Sequence, residues 1–93
     1  MIKTFRDRRT AAIFQGFRPK GFPPDLLRRA QKRLVQLHQA KGLADLRLPK
    51  SNRLEALRDD RRGQHSIRIN DQWRLCFVWR DGDAYDVEIT DYH

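Results

Sequence analysis

The sequence predicts an α+β domain in which a short N-terminal strand and two helices pack on a small antiparallel β-sheet. Apolar residues recur with a helical period in the first half of the chain, and they alternate with polar residues from residue 65 onward. Residues that favour turns separate these segments. A chain of 93 residues can bury one small core but not two, so we expect a single domain over residues 1–93.

The chain opens with a predicted strand and a short helix. Residues 2–5 are expected to form the strand, and Asp7 is placed to cap the helix that follows. Ala11, Phe14 and Phe17 are spaced so that they can share one face of this helix. We expect that face to meet the core.

A second and longer helix is predicted to begin at Pro24 or Asp25, after a loop over residues 16–24 that is dense in Gly and Pro. Gly42 is placed to end it. Its apolar stripe consists of Leu27, Ala30, Leu34 and Leu37. A cluster of basic residues lies on the remaining surface: Arg28, Arg29, Lys32 and Arg33. These side chains either bind a polyanion or only keep the helix soluble.

The second half of the chain has the period of strands. In segment 65–70 isoleucines alternate with polar residues, so one face meets the core and the other meets water or a ligand. Residues 70–72 turn the chain into a strand over residues 73–80, in which aromatic and aliphatic residues alternate with Arg74, Cys76 and Val78. Segment 54–57 is ambiguous, and its two leucines are expected to pack beside a loop.

The last strand follows a hairpin. Asp81-Gly82 is a two-residue signal for a tight turn. Tyr85, Val87 and Ile89 are then expected on one side of the strand, which makes three antiparallel strands in all.

The charge of the chain is high and unevenly distributed. Its formal net charge is +8 and its pI is near 10.6, as expected of a protein that meets a polyanion. The net charge is +9 over residues 1–42, +4 over residues 43–80 and −5 over residues 81–93. Because no segment has the one-sided apolar surface of a membrane anchor, nucleic acid is the favoured partner and a membrane is not. Generic solubility is the alternative.

Several classes of protein lack their motifs here. The single Cys76 excludes an intramolecular disulfide and is expected to fill the core. No apolar stretch is long enough to span a membrane or to serve as a signal peptide, so we expect a cytoplasmic protein. The three histidines have no ligand-like spacing and there is no phosphate-binding loop, so no metal or other cofactor is predicted.

Two groups of residues suit phosphodiester chemistry. Five arginines lie on or beside the predicted sheet: Arg58, Arg61, Arg62, Arg68 and Arg74. The chain ends with Asp91-Tyr92-His93 directly after the last strand. Cleavage of RNA through its own 2′-hydroxyl needs a proton acceptor, a proton donor and cations at the phosphate, which these residue types can supply without a metal. The alternative is that the terminus is solvated and the arginines are ordinary surface charges.

The second half of the chain closely resembles HigB-type toxins, the proteic killer branch of the RelE/ParE superfamily. The resemblance is carried by residues 64–77 (QHSIRINDQWRLCF), by the hairpin at residues 81–85 and by the ending 88–93 (EITDYH). It extends more weakly to residues 1–5 and 52–57.

The resemblance implies a RelE-like fold and a ribosome-dependent mRNA endonuclease. It places Asp91, Tyr92 and His93 in the active site, with Arg58 and Arg74 as cations facing the phosphate. Some members of the family carry a histidine where this sequence has Glu55, which makes Glu55 a further candidate for proton transfer. The implied partners are the ribosome with its 16S rRNA, mRNA, and a HigA-like helix-turn-helix antitoxin in a heterotetrameric complex.

Two other functions remain open at this point. A ParE-like relative would use the same scaffold to inhibit a protein target such as DNA gyrase. A pure binding protein would hold nucleic acid through the basic helix, and its acidic hairpin would only set solubility. In the nuclease, Arg61, Arg62 and Arg68 are expected to bind RNA or the ribosome together with the basic residues of the second helix. Loss of function on removal of residues 91–93 would favour the nuclease over the binding protein.

Overall fold

The computed structural model describes residues 1–91. Helix α1 spans Arg8–Phe14 and helix α2 spans Pro24–Gln39. Within the described part of the chain four strands form one antiparallel sheet in sequence order. They are β1 (Glu55–Ala56), β2 (Gln64–Arg68), β3 (Trp73–Arg80) and β4 (Asp83–Asp91). The predicted α+β fold class is confirmed.

The sheet has one strand more than predicted. The ambiguous segment 54–57 contributes the two-residue strand β1, in which Glu55 pairs with Ser66 and Ala56 with His65. Three short 3₁₀ helices lie in the connections, and none of them was predicted: Leu43–Arg47, Lys50–Asn52 and Asp59–Arg61. Such short elements are fixed by packing against the rest of the chain more than by local sequence.

The core lies between the two helices and one face of the sheet. The sheet contributes buried side chains from three strands and from the residue after β2: Ile67, Ile69, Leu75, Phe77, Ala84, Val87 and Ile89. Helix α2 contributes Leu26, Ala30, Leu34 and Leu37. Leu26 thus takes the inward position predicted for Leu27, which is only half-buried against the core.

The face of α1 that meets the core differs from the predicted one. Thr10 and Ile13 are fully buried, whereas Ala11 and Phe14 are half-buried. Phe17 is 64% exposed, because the helix ends at Phe14 and Phe17 lies in the following loop.

The starts of both helices agree with the sequence, but the end of α2 does not. The Asp7 carboxylate accepts a hydrogen bond from the Thr10 N–H at 2.8 Å, which confirms the predicted cap, and α2 begins at Pro24. Helix α2 ends at Gln39 instead of continuing to Gly42. Gly42 has an extended backbone (φ −150°) and precedes the next 3₁₀ helix. No helix within residues 1–91 is long and apolar enough to cross a membrane.

The N-terminal segment runs beside β4 without forming the continuous strand predicted for residues 2–5. It makes two isolated parallel bridges, from Ile2 to Ala84 and from Phe5 to Val87. Between them the Asp86 N–H donates to the Thr4 Oγ at 2.8 Å, in place of a backbone ladder bond.

A β-bulge in β4 explains both this interruption and a wrong prediction about Tyr85. One residue of β3, Phe77, lies opposite two residues of β4, and Asp86 has a positive φ of 52°. The bulge shifts the alternation by one residue. Val87 and Ile89 therefore face the core as predicted, while Tyr85 does not.

We predict that the hydrogen bond between α1 and β4 stabilises the fold. The Ile89 N–H donates to the fully buried Thr10 Oγ at 3.0 Å. Thr10→Val should lower the free energy of unfolding by about 1–3 kcal/mol, because it leaves a buried donor without an acceptor.

Thr4→Val is the matched control, since Thr4 also accepts a backbone N–H but on the exposed surface. Thr4→Val should lower the free energy of unfolding by about 0.5 kcal/mol or less. Urea denaturation measures both values, and equal losses for the two variants would contradict the assignment.

Candidate active site

The second face of the sheet, opposite the helices, carries the polar side chains of the candidate site. Glu55 of β1 lies opposite Ser66 of β2, and Arg74 of β3 lies opposite Thr90 of β4. Alternation along the strands puts these residues on one side, away from the apolar core. We call this side the open face.

Arg74 lies at the centre of the open face and is only 8% exposed. Its Nε donates to the Ser66 Oγ at 2.7 Å, and its Nη2 donates to the Arg53 carbonyl at 2.7 Å. Nη2 also forms an ion pair with the Glu55 carboxylate at 2.9 Å. Groups of three residues from two segments therefore hold the guanidinium in one orientation, unlike an ordinary surface arginine.

Glu55 lies beside Arg74, and Arg58 lies beside Glu55 in a neighbouring cavity. The Glu55 side chain is 52% exposed, so water reaches the carboxylate that pairs with Arg74. Arg58 is exposed and lines, with Glu55 and Asp59, a shallow cavity of about 590 Å³. The structure thus brings two of the predicted site residues to one cavity, and the Glu55–Arg74 ion pair links that cavity to Arg74.

Asp91 ends β4 and pairs with Trp73, the residue before Arg74. Its Oδ2 accepts a hydrogen bond from the Gln72 Nε2 at 3.0 Å. Tyr92 and His93, which were predicted to complete the site, lie outside the described residues.

The other three arginines predicted on or beside the sheet differ in their surroundings. Arg61 forms an ion pair with Glu88 at 3.0 Å and also donates to Gln64 at 3.1 Å. Arg68 pairs with the exposed Asp71, and Arg62 is exposed. Arg61 and Arg68 are thus partly neutralised by carboxylates.

The basic residues of α2 are not equivalent. Arg28, Arg29 and Lys32 are exposed, and Arg28 pairs with Asp25 at 2.6 Å. Arg33 is half-buried and donates from Nε to the Arg68 carbonyl at 3.0 Å, which ties α2 to the end of β2. Burial lowers the pKa of Arg33, and the neighbouring charges of Arg29 and Arg68 lower it further.

Cys76 is fully buried as predicted, but it lies between Ser66 and Glu88 on the open face and not in the core between the sheet and the helices. Burial raises the pKa of its thiol and therefore disfavours the reactive thiolate. Among residues 1–91 no group of three His, Cys, Asp or Glu side chains is arranged to hold a metal ion.

Two contributors to the site were not predicted from the sequence. Ser66 was assigned only to an outer face, yet it is buried as an acceptor for Arg74. Arg53 contributes its backbone carbonyl and has a positive φ of 45°. The Arg53 carbonyl is a backbone acceptor, and no pattern of side chains in the sequence reveals one. Ser66 could have been found if the pairing of Glu55 with Ser66 across β1 and β2 had been predicted.

Comparisons with known proteins agree on one family. A family model described as the RelE-like toxin of type II toxin-antitoxin system HigB matches residues 3–93. Endoribonuclease HigB of Proteus vulgaris is 31% identical over 93 residues, the full length of both chains. Toxin HigB-1 of Vibrio cholerae is 34% identical over 88 residues, which cover 94% of this chain and 93% of that one.

Solved structures show the same fold at low sequence identity. The YoeB-YefM complex from Staphylococcus aureus contains a chain that matches with a TM-score of 0.62 and 15% identity, over 100% of this chain and 98% of that one. A mutant of YafQ from E. coli matches with a TM-score of 0.61 and 11% identity, over 98% of this chain and 93% of that one.

We predict that Ser66, more than Glu55, fixes Arg74. Ser66→Ala should lower the free energy of unfolding by about 1–3 kcal/mol, because a buried guanidinium N–H loses its acceptor. Glu55→Gln should cost about 1 kcal/mol or less, because the carboxylate is half exposed and water competes for it.

Denaturation of the two variants under the same conditions tests this order. A larger loss for Glu55→Gln would mean that the ion pair holds the arginine and that the serine only accompanies it.

Proposed function

This chain belongs to the HigB family of RelE-like toxins of type II toxin-antitoxin systems, and we propose on this premise that it is an endoribonuclease that cuts mRNA on the translating ribosome. The proposal includes cleavage by attack of the RNA 2′-hydroxyl on the adjacent phosphate, with the protein's own side chains moving the protons. It places this activity in the cytoplasm, where ribosomes are found.

The observation that carries the proposal is the buried, fixed guanidinium of Arg74 on the open face. A cation that is oriented before the substrate arrives stabilises charge that develops on a phosphate without reorganising at that moment. A planar guanidinium also matches two phosphate oxygens better than an ammonium group does. Arg58 is the second cation of the proposed site, beside the same carboxylate.

Acid and base in this proposal come from Glu55 and the end of the chain. Glu55 is a water-accessible carboxylate next to Arg74 and can accept the proton of the 2′-hydroxyl. His93 returns a proton to the leaving 5′ oxygen, and Tyr92 positions the nucleotide. Asp91, which ends the strand adjacent to Arg74, supports that terminal group.

Positioning by the ribosome completes the proposed mechanism. Alignment of reacting groups contributes several kcal/mol to catalysis, so a small protein with a shallow site gains much from a substrate held by another assembly. We expect free RNA to be cut far more slowly than mRNA on ribosomes. The net charge of +8 favours association with ribosomal RNA.

The proposed antitoxin is HigA-like, with a helix-turn-helix domain, and forms a heterotetrameric complex with the toxin. Acidic residues on it would complement the basic surface of the free chain. Purification of the tagged protein with its neighbouring gene products at moderate salt tests this partner, and a toxin that purifies alone would contradict it.

We predict that His93→Gln abolishes most cleavage without unfolding the protein. Glutamine keeps hydrogen bonding but cannot transfer a proton at neutral pH, so the single-turnover rate should fall by about 10²–10⁴-fold. Toeprinting on translating ribosomes measures new mRNA ends for wild type and variant at equal ribosome occupancy.

A rate within about threefold of wild type, less than 1 kcal/mol of barrier, would pass the proton role to Glu55 or Tyr92. Growth arrest by wild type with intact transcripts and damaged DNA would instead favour a ParE-like inhibitor of gyrase.

We also predict that the exposed basic residues of α2 add electrostatic affinity for ribosomal RNA. Replacing Arg28, Arg29 and Lys32 with Gln should reduce the slope of log affinity against log salt by about 0.7–0.9 for each phosphate that the variant can no longer bind. Ribosome binding at several salt concentrations measures this slope.

Arg33→Gln is tested separately. Its half-buried side chain bonds to the Arg68 carbonyl, so this variant should lose stability more than salt-dependent affinity. An unchanged slope in the triple variant would show that these residues only solvate the helix.

A further inference from the structure

A groove next to the open face concentrates positive charge that the proposed active site does not use. It encloses about 500 Å³ between the connection after α2 and the β1–β2 edge of the sheet. Its lining includes three cations, Arg47, Lys50 and Arg53, together with Leu54, Glu55 and His65. None of the three cations belongs to the basic cluster of α2.

The positive charge of the groove is not neutralised within the described residues. Arg47, Lys50 and Arg53 are exposed, and no carboxylate of residues 1–91 lies within 4.0 Å of their charged groups. The acidic residue in the wall, Glu55, pairs with Arg74. A ligand that enters this groove therefore meets three cations.

The segment that presents these cations is held from inside the protein. The Asn52 side chain is fully buried, and its Nδ2 donates to the Gln36 Oε1 at 3.1 Å and to the Leu46 and Leu48 carbonyls at 3.2 and 3.3 Å. The Asn52 side chain thus joins the backbone at residues 46 and 48 to its own position in the chain and to α2. Because folding already orders this backbone, binding there loses less conformational entropy.

The groove and Arg74 share a wall. The Arg53 carbonyl accepts from Arg74 while its side chain lines the groove, and Glu55 both pairs with Arg74 and lines the groove. His65 stacks on Phe77 with ring centroids 6.3 Å apart. Its Nδ1 is buried without a hydrogen-bond partner in residues 1–91, and the residue lines the groove.

We propose that this groove binds the RNA backbone next to the scissile position, with Arg47, Lys50 and Arg53 contacting phosphates that flank the one at Arg74. This inference rests on the proposed nuclease function, since it extends the path of the same strand. Contacts to phosphates position a strand without reading its sequence. The groove therefore aligns the substrate and does not select a codon.

The test uses NMR on the isotope-labelled full chain with a hexanucleotide that is 2′-O-methylated throughout and so cannot be cut. We expect amide shifts at residues 47, 48 and 50–53 and at His65, together with shifts around Arg74. The variant Arg47→Gln/Lys50→Gln/Arg53→Gln should bind about tenfold more weakly at 100 mM salt. Its salt slope should fall by about 0.7 for each phosphate of the single strand that the variant can no longer bind.

The variant Arg18→Gln/Lys20→Gln/Lys41→Gln is the matched control, because it removes the same charge from exposed residues outside the groove. It should keep the wild-type affinity within about twofold. Equal weakening of both variants would overturn the groove and leave only a general effect of net charge.

Two further results separate this inference from the function on which it rests. A wild-type protein that cuts mRNA on ribosomes, but whose residues 47–53 do not shift with the oligonucleotide, overturns the groove alone. A wild-type protein that neither cuts mRNA nor binds the oligonucleotide overturns both.

Discussion

The placement of Arg74 depends on contacts from two parts of the sheet, the segment that forms β1 and strand β2. A buried guanidinium is costly unless its donors are satisfied, and here Ser66, the Arg53 carbonyl and Glu55 satisfy them. Ser66 requires the register of β2 against β3. Glu55 requires β1, a strand of only two residues whose pairing with Ser66 sets the carboxylate beside the arginine. Ser66 and the Arg53 carbonyl therefore fix the orientation of the arginine, and Glu55 adds an ion pair at the nitrogen that also donates to Arg53.

The bulge in β4 has a comparable influence on the other side of the site. By adding one residue opposite Phe77, it leaves Val87 and Ile89 in the core. Glu88 and Thr90 then fall on the open face, where Glu88 pairs with Arg61 and Thr90 lies opposite Arg74. Bulges often occur next to active sites because they re-aim side chains in this way. The same irregularity limits the N-terminal segment to two bridges.

Features set by neighbouring residues were predictable from the sequence, and features set by distant contacts were not. The Asp7 cap and the tight turn at Asp81-Gly82, where both residues have positive φ, need only local chemistry. Strand β1 and the bulge depend on how the strands pair, which the sequence pattern of a single strand does not show, so alternation alone placed Tyr85 on the wrong face. Arg74 was a candidate as one of five arginines on or beside the predicted sheet, and the family resemblance assigned it to the phosphate. Its burial follows from a tertiary network that single-sequence patterns do not encode.

The ion pair between Glu55 and Arg74 joins the proposed base to the cation that is proposed to bind the phosphate. A phosphate that approaches Arg74 competes with the Glu55 carboxylate for Nη2, and Glu55 is half exposed, so water can receive it. Arg74 does not need Glu55 to keep its orientation, because Ser66 and the Arg53 carbonyl still accept its other hydrogen bonds. Displacement thus frees a carboxylate next to the bound phosphate without moving the cation. In a nuclease that uses the 2′-hydroxyl, this coupling would make the base available only when a phosphate occupies the site.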